Sequence, residues 1–226
     1  MGAYLFKPED SASDRTWPRT IVFIEGNISA GKSTLLKALK EEGYSVWQEG
    51  VDEITTTLLN KEGENLLELF YKDMPRYAFE LQLAYMANRW KVIKDALDAD
   101  KADIVLVERS LLTDRHTFAL QLYEDGCLSD VQWKVYNQLL DDRLEDAKWA
   151  FGGVKIKTIY LRTTPETCMI RTAVRNRNGE VEGIDAKYLQ GLHDKLETWL
   201  SDNGADIVDA NQESSLVIHD VLEHLS

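Results

Sequence analysis

The sequence predicts a three-layer α/β/α fold built on a central parallel sheet of about five strands. Three observations predict it. Short apolar runs at 21–24 and 104–107 and a further strand at 155–161 alternate with segments of helical apolar spacing, and strands that alternate with helices form parallel sheets covered on both faces. The first run enters Gly26-x4-Gly31-Lys32-Ser33, followed by Leu35, Leu36, Ala38 and Leu39 at helical spacing, the strand–loop–helix order of a phosphate-binding P-loop. A length of 226 residues with 44% hydrophobic content suits one ordinary α/β domain.

Taken in order, residues 1–18 carry Pro8, Pro18 and mixed polar residues and read as a tail. Residues 19–226 read as a single domain. After the first strand and the P-loop helix, Gly43 stops the helix and 44–48 reads as a second strand ending at Glu49. From 64 to 98 the pattern is helical, with Pro75 marking a break and a fresh first turn. The run 104–107 is a third buried strand ending at Glu108-Arg109-Ser110. Helical pattern resumes from Thr113 to about Trp149, with a turn at Gly126. A fourth strand covers 155–161, helices cover 165–177 and 185–200, a last short strand holds Ile207-Val208, and a helix closes the chain over 216–225.

The chemistry gathers where these strands end, because ligands of open α/β sheets bind outside the carboxyl ends of the strands. Gly26, Asn27, Ile28, Ser29, Ala30, Gly31, Lys32, Ser33 and Thr34 form a loop whose backbone N–H groups can turn around phosphate oxygens at a helix N-terminus. Lys32 is placed to reach the β- and γ-phosphates, and the Ser33 hydroxyl to hold Mg²⁺. Glu49, Glu108 and Arg109 follow buried strands. A carboxylate near an acceptor hydroxyl can take its proton, and one near Mg²⁺ can order the metal's shell; solvated strand ends are the plain alternative. The net charge of −13 argues against a nucleic acid polymer as partner, so a polyphosphate needs a local set of cations. Arg171, Arg175 and Arg177, within seven residues, supply one. Cys127 and Cys168 form no disulfide framework or zinc pattern. No apolar run approaches the ~20 residues of a membrane span, so no membrane association is expected. The expected setting is cytoplasmic, with a mitochondrial one open if a transit peptide precedes this sequence.

At the level of whole motifs the chain resembles the deoxynucleoside kinase family. Gly26-Asn27-Ile28-Ser29-Ala30-Gly31-Lys32-Ser33-Thr34 is similar to that family's phosphate loop. Asn65-Leu66-Leu67…Phe70-Tyr71…Pro75-Arg76-Tyr77-Ala78-Phe79-Glu80-Leu81-Gln82 resembles its nucleoside-binding segment. Glu108-Arg109-Ser110…Asp114-Arg115…Phe118-Ala119 resembles its [DE]-R-S motif, the segment from Thr164 to Arg177 its lid, and Asp209-Ala210-Asn211 its final loop. The resemblance implies a P-loop nucleoside kinase fold with a helical lid at about 171–184, ATP as phosphate donor, Mg²⁺, a deoxynucleoside acceptor and a homodimer through helices near 75–98 and 129–148. It implies that Glu49 is the general base toward the 5′-hydroxyl, that Glu108 orders Mg²⁺, and that Arg109 holds the 5′ end and the base carboxylate. Tyr71 with a lid acid, Glu180 or Glu182 with Glu180 favoured, takes the sugar 3′-hydroxyl. Gln82 pairs with the nucleobase edge, Phe118 stacks on its face, and Arg89 and Asp114 lie at its far side. Arg171, Arg175 and Arg177 close over the transferring phosphate, and Asn211, Gln212 and Glu213 approach the donor's adenine.

The sequence also departs from the family. Glu-Pro-Val is usual where Glu49-Gly50-Val51 stands here, and Ile54 falls where a tryptophan lines the pocket. Gly50 is expected to loosen the segment after the base and Ile54 to remove an aromatic wall. Tyr85 is bulky where several animal members have a small residue, a shape closer to bacterial purine deoxynucleoside kinases. The Arg89–Asp114 pair goes in the family with cytosine and purines, so purine deoxynucleosides and deoxycytidine are expected ahead of thymidine. A nucleoside monophosphate kinase and a non-catalytic nucleotide-binding scaffold on the same fold are the alternative readings.

Overall fold

The computed structural model describes residues 20–150, 152–175 and 183–225. The expected tail at 1–18 and the lid residues Arg177, Glu180 and Glu182 lie outside the described residues. The element order is β1 (Thr20–Gly26), α1 (Lys32–Glu41), β2 (Ser45–Trp47), α2 (Val51–Thr57), α3 (Leu66–Lys72), α4 (Met74–Ala99) and β3 (Ile104–Glu108). It continues through α5 (Thr113–His116), α6 (Phe118–Glu124), α7 (Asp130–Ala150), β4 (Lys155–Arg162), α8 (Pro165–Arg175), α9 (Ala186–Asp202), β5 (Asp206–Asp209) and α10 (Ser214–Leu225). Among the described residues five strands pair in parallel in the order β2-β3-β1-β4-β5.

The three layers follow from the period of a strand. Successive side chains of β1 point to opposite faces. Ile21 and Phe23 join Val105, Val107, Phe70, Leu81 and Ile93 under the long helix α4. Val22 and Ile24 join Leu106, Ile159 and Leu161, covered by Leu35, Leu36 and Leu39 of α1 and by Val217, Val221 and Leu225 of α10. Tyr160, between two residues of that second layer, turns the other way, onto Leu196 and Leu200 of α9. A run apolar at every position is thus buried on both faces.

The register brings the strand ends together. Trp47 pairs with Val107, Ile24 with Glu108, Gly26 with Leu161 and Arg162 with Asp209. The loops after β1, β2, β3 and β5 therefore open along one edge of the sheet. Pro75 sits in the first turn of α4, where its missing N–H costs nothing, and Asp73 caps that helix by accepting from the Arg76 N–H at 3.2 Å.

Two local features differ from expectation. Residues 51–57 form a helix, although Thr55, Thr56 and Thr57 are poor helix formers; Ile54, 2% exposed, anchors it in the core. The helical stretch after Thr113 turns at Gly126, φ 75°, as expected, and is also broken at Thr117, whose φ of −132° and ψ of −84° leave the helical region. No described helix is long and apolar enough to cross a membrane.

Candidate active site

The phosphate loop runs from the end of β1 to the first turn of α1. Gly31, with φ 102°, occupies the left-handed region that glycine enters without a Cβ clash, and it caps α1. No acidic residue stands in the first turn of that helix, so its N–H groups and dipole favour an anion. The Lys32 ammonium donates to the carbonyls of Gly26 at 3.2 Å and Asn27 at 2.8 Å. Burial, helped by the charge of Arg109, lowers its pKa from 10.5 to about 7 against the opposing pull of Glu108, Glu49 and Glu25. Residues 28–34 line the cavity, but Gly26 and Asn27 do not. The Asn27 amide instead donates to the Leu189 carbonyl at 3.0 Å and accepts from the Ile28 N–H at 2.8 Å. These two residues, expected at the phosphates, hold the lysine through their carbonyls.

Glu49, Arg89, Asp114, Glu108 and Arg109 form a buried polar cluster beside the loop. Arg89 extends one guanidinium nitrogen to Asp114 and another to Glu49. The Arg109 Nε lies 3.7 Å from the other Glu49 oxygen, and its guanidinium rests 4.6 Å from the centre of the Phe118 ring. The Ser33 hydroxyl donates to Glu108 at 3.5 Å. The two carboxyls titrate apart. Burial drives Glu49 upward, but Arg89, Arg109 and Lys32 outweigh it and hold Glu49 below the usual glutamate range. Burial, reinforced by the Glu49 charge, moves Glu108 upward despite Lys32 and Arg109. Burial likewise raises Asp114 although Arg89 opposes it.

Arg109 has φ 65°, an uncommon state for a residue with a Cβ, and its N–H donates to the Ile24 carbonyl at 3.1 Å. What holds this turn is Glu25, which was not anticipated. Fully buried at the end of β1, it accepts from the Ser110 N–H at 2.8 Å and from the Thr113 hydroxyl at 2.7 Å. Its signal was present as the one acid inside an apolar strand run.

These groups share a cavity of about 800 Å³. The phosphate loop, Ser33 and Glu108 line one part. Tyr71, Gln82, Arg89, Arg109, Asp114 and Phe118 line another, with Phe70, Leu81, Tyr85 and Tyr188 as its apolar and aromatic walls. Gln82 Oε1, Arg89 Nε and Arg109 Nη1 are buried there without a hydrogen-bond partner, a cost that a polar ligand would remove. Arg171 and Arg175 reach the cavity from α8, and Arg171 donates to the carbonyls of Ala30 at 3.2 Å and Ala210 at 2.9 Å.

Two expectations, those for Ile54 and Gly50, differ from what the structure shows. Gln212 lines the cavity, but Asn211 and Glu213 do not; Asn211 accepts from the Thr164 N–H at 2.9 Å and donates to Asp209, bracing the loop. Ile54 belongs to the core rather than to the cavity wall, so the aromatic character comes from Phe70, Tyr71, Tyr85, Phe118 and Tyr188. Gly50 does not leave its segment loose, since its N–H donates to Asn88 Oδ1 at 3.0 Å. Arg177 and Glu180 lie outside the described residues. Tyr188, Asn88, Ile170 and Val174 were missed because their apolar or amide character carries no motif.

A phosphate loop and a buried acid–arginine cluster facing one cavity define a P-loop phosphotransferase. The chain belongs to the deoxynucleoside kinase family: the family model described as deoxynucleoside kinase matches residues 22–225. It is 37% identical over 224 residues to a probable deoxycytidine kinase of Fowlpox virus, covering 90% of this chain and 88% of that one. It is 35% identical over 213 residues to the deoxycytidine kinase of Homo sapiens, covering 85% and 80%. The solved structure of deoxyadenosine kinase from M. mycoides with bound dATP superposes with a TM-score of 0.73 at 24% identity, covering 91% of this chain and 99% of that one, and shows the shared fold.

Proposed function

We propose that this chain transfers the γ-phosphoryl group of ATP to the 5′-hydroxyl of a deoxynucleoside, with purine deoxynucleosides and deoxycytidine ahead of thymidine. One observation carries the reading. The Lys32–Ser33–Glu108 set and the Glu49–Arg89–Asp114 set face the same cavity, which matches a polyphosphate at one part and a neutral nucleoside at the other. Gln82 and Arg89 offer unpaired buried polar atoms to a nucleobase edge. Asp114 adds an acceptor for an exocyclic amine, and Phe118 and Tyr71 offer ring faces to base and sugar.

In this reading Glu49, ionised at neutral pH, takes the 5′-hydroxyl proton as that oxygen bonds to the γ-phosphorus. The bond from the γ-phosphorus to the β–γ bridging oxygen breaks, and ADP leaves. Arg109 orients Glu49, while Lys32, the N–H groups of the loop and Arg171 with Arg175 stabilise charge on the transferred group. Ser33 and Glu108 present hard oxygen donors 3.5 Å apart, which fits Mg²⁺, an ion that takes most of its ligands from water and phosphate. When bound there it would neutralise β- and γ-oxygen charge. A homodimer through α4 and α7 is part of the proposal. Val131, Val135 and Leu139, 70%, 40% and 40% exposed, fall at four-residue steps along one side of α7.

Base preference is tested at Asp114. In Asp114→Ala, kcat/KM for thymidine is expected to rise relative to deoxycytidine and the purine deoxynucleosides. Unchanged ratios across the four nucleosides would remove Asp114 from base selection. Arg89→Ala is a poorer probe, because it strands two buried carboxylates, a loss of about 3–5 kcal/mol, and releases Glu49 as well.

A further inference from the structure

Two consecutive residues of α4 grip two consecutive residues of the β2–α2 loop. Arg89 holds the Glu49 carboxylate, and the Asn88 side chain accepts from the N–H of Gly50, the next residue, at 3.0 Å. Asn88 is 7% exposed, so this hydrogen bond is shielded from water. The fit is also steric. A Cβ built on Gly50 would stand 2.7 Å from Asn88 Nδ2 and 2.9 Å from Oδ1, closer than such atoms approach. The absence of a side chain at Gly50 is thus what allows the amide of Asn88 to lie against the loop backbone. Gly50 has φ −80°, which most residues adopt, so the effect of a side chain there is to displace the Asn88 amide rather than to strain the backbone. A proline could also match that φ, but it has no N–H to give.

We infer that Asn88 is a positioning residue for the catalytic base, fixing the backbone one residue after Glu49 while Arg89 fixes its carboxylate. The inference rests on Glu49 being the base. Both side chains come from one turn of a 26-residue helix, so the carboxylate is referenced to a rigid element at two points. General-base transfer needs heavy atoms about 2.6–3.2 Å apart, and a displacement of about 1 Å can cost 10²-fold in rate.

The test compares Asn88→Ala, Asn88→Asp, Gly50→Pro and the double variant Gly50→Pro/Asn88→Ala, with Glu49→Gln in the same assay. Asn88→Ala is expected to lower kcat about tenfold or more, with KM for ATP unchanged. Asn88→Asp keeps the acceptor oxygen but sets a second carboxylate beside Glu49, so its rate should recover with the Glu49 acid limb moved to higher pH. Gly50→Pro should be strongly impaired alone and more active in the Asn88→Ala background, where the clash is gone. That relief can be read whether or not Asn88→Ala lowers stability. Wild-type kcat in Asn88→Ala, an Asn88→Asp as slow as the alanine variant even at alkaline pH, or Gly50→Pro equally impaired in both backgrounds would each overturn the inference. If Glu49→Gln itself turns over normally, the base assignment fails instead.

Discussion

Replacing Glu49 with glutamine is expected to lower kcat by about 10²–10⁴-fold, the usual worth of a general base, while deoxynucleoside binding persists. The glutamine keeps the volume and an acceptor oxygen for Arg89 but cannot take a proton. The pH dependence of the wild type supports the same assignment. Arg89, Arg109 and Lys32 hold the Glu49 carboxyl below its ordinary value of 4.5, so the ionised base survives further into acid than an ordinary glutamate. The acid limb of kcat/KM assigned to Glu49 should therefore fall below about pH 4.5. In folding terms the sign is the depressed-acid one: the stability Glu49 contributes is present above the unfolded value and is lost as pH falls through the lowered one. A Glu49→Gln variant with near-normal turnover would remove the residue from the role.

The second large effect is expected at Lys32. Lys32→Met should lower kcat/KM for ATP by about 10²–10³-fold, comparable to losing one donor to a developing oxyanion. Methionine matches the length of lysine without its charge but leaves the Gly26 and Asn27 carbonyls without their donor, so a thermal melt alongside the kinetics separates loss of phosphate binding from loss of folding. Wild-type Lys32 adds a signature. With its folded pKa lowered to about 7 from 10.5, the unfolded chain binds more protons than the folded one between those values, and the Lys32 contribution to stability rises with pH across that window. ATP favours the charged form, so its binding should take up a fraction of a proton that grows above pH 7, and affinity should fall toward pH 10. Calorimetry in buffers of different ionisation enthalpy reads this directly. No proton uptake between pH 7 and 9 would contradict the assigned state of Lys32.

Much of the fold was legible because its signals are local. Buried parallel strands are continuous apolar runs, and β1 and β3 read that way, while β4 is apolar and buried only toward its end. Pro75, Gly43 and Gly126 punctuate the chain through φ preferences that need no tertiary context. The helix α2 was not legible, because three threonines argue against it and the burial of Ile54, which anchors it, is a tertiary contact. The site divides the same way. Lys32, Ser33, Glu49, Glu108 and Arg109 stand at strand ends, where chemistry is expected, and the structure brings them around one cavity. The Asn27 amide pairs with the backbone of Leu189 and Ile28, and that of Asn211 with the Thr164 N–H and the Asp209 carboxylate, partners that only the folded chain supplies. Glu25 left a sign as an acid inside an apolar strand run, but the loop contacts it and Asn88 make cannot be read from spacing.

The most direct measurement is steady-state phosphorylation by the purified chain, with ATP and Mg²⁺, of the four deoxynucleosides and of their 5′-monophosphates. The expected result is turnover of deoxynucleosides to 5′-monophosphates, with kcat/KM for deoxycytidine or a purine deoxynucleoside above that for thymidine. ATP binding without turnover of any nucleoside, or faster turnover of the monophosphates, would contradict it.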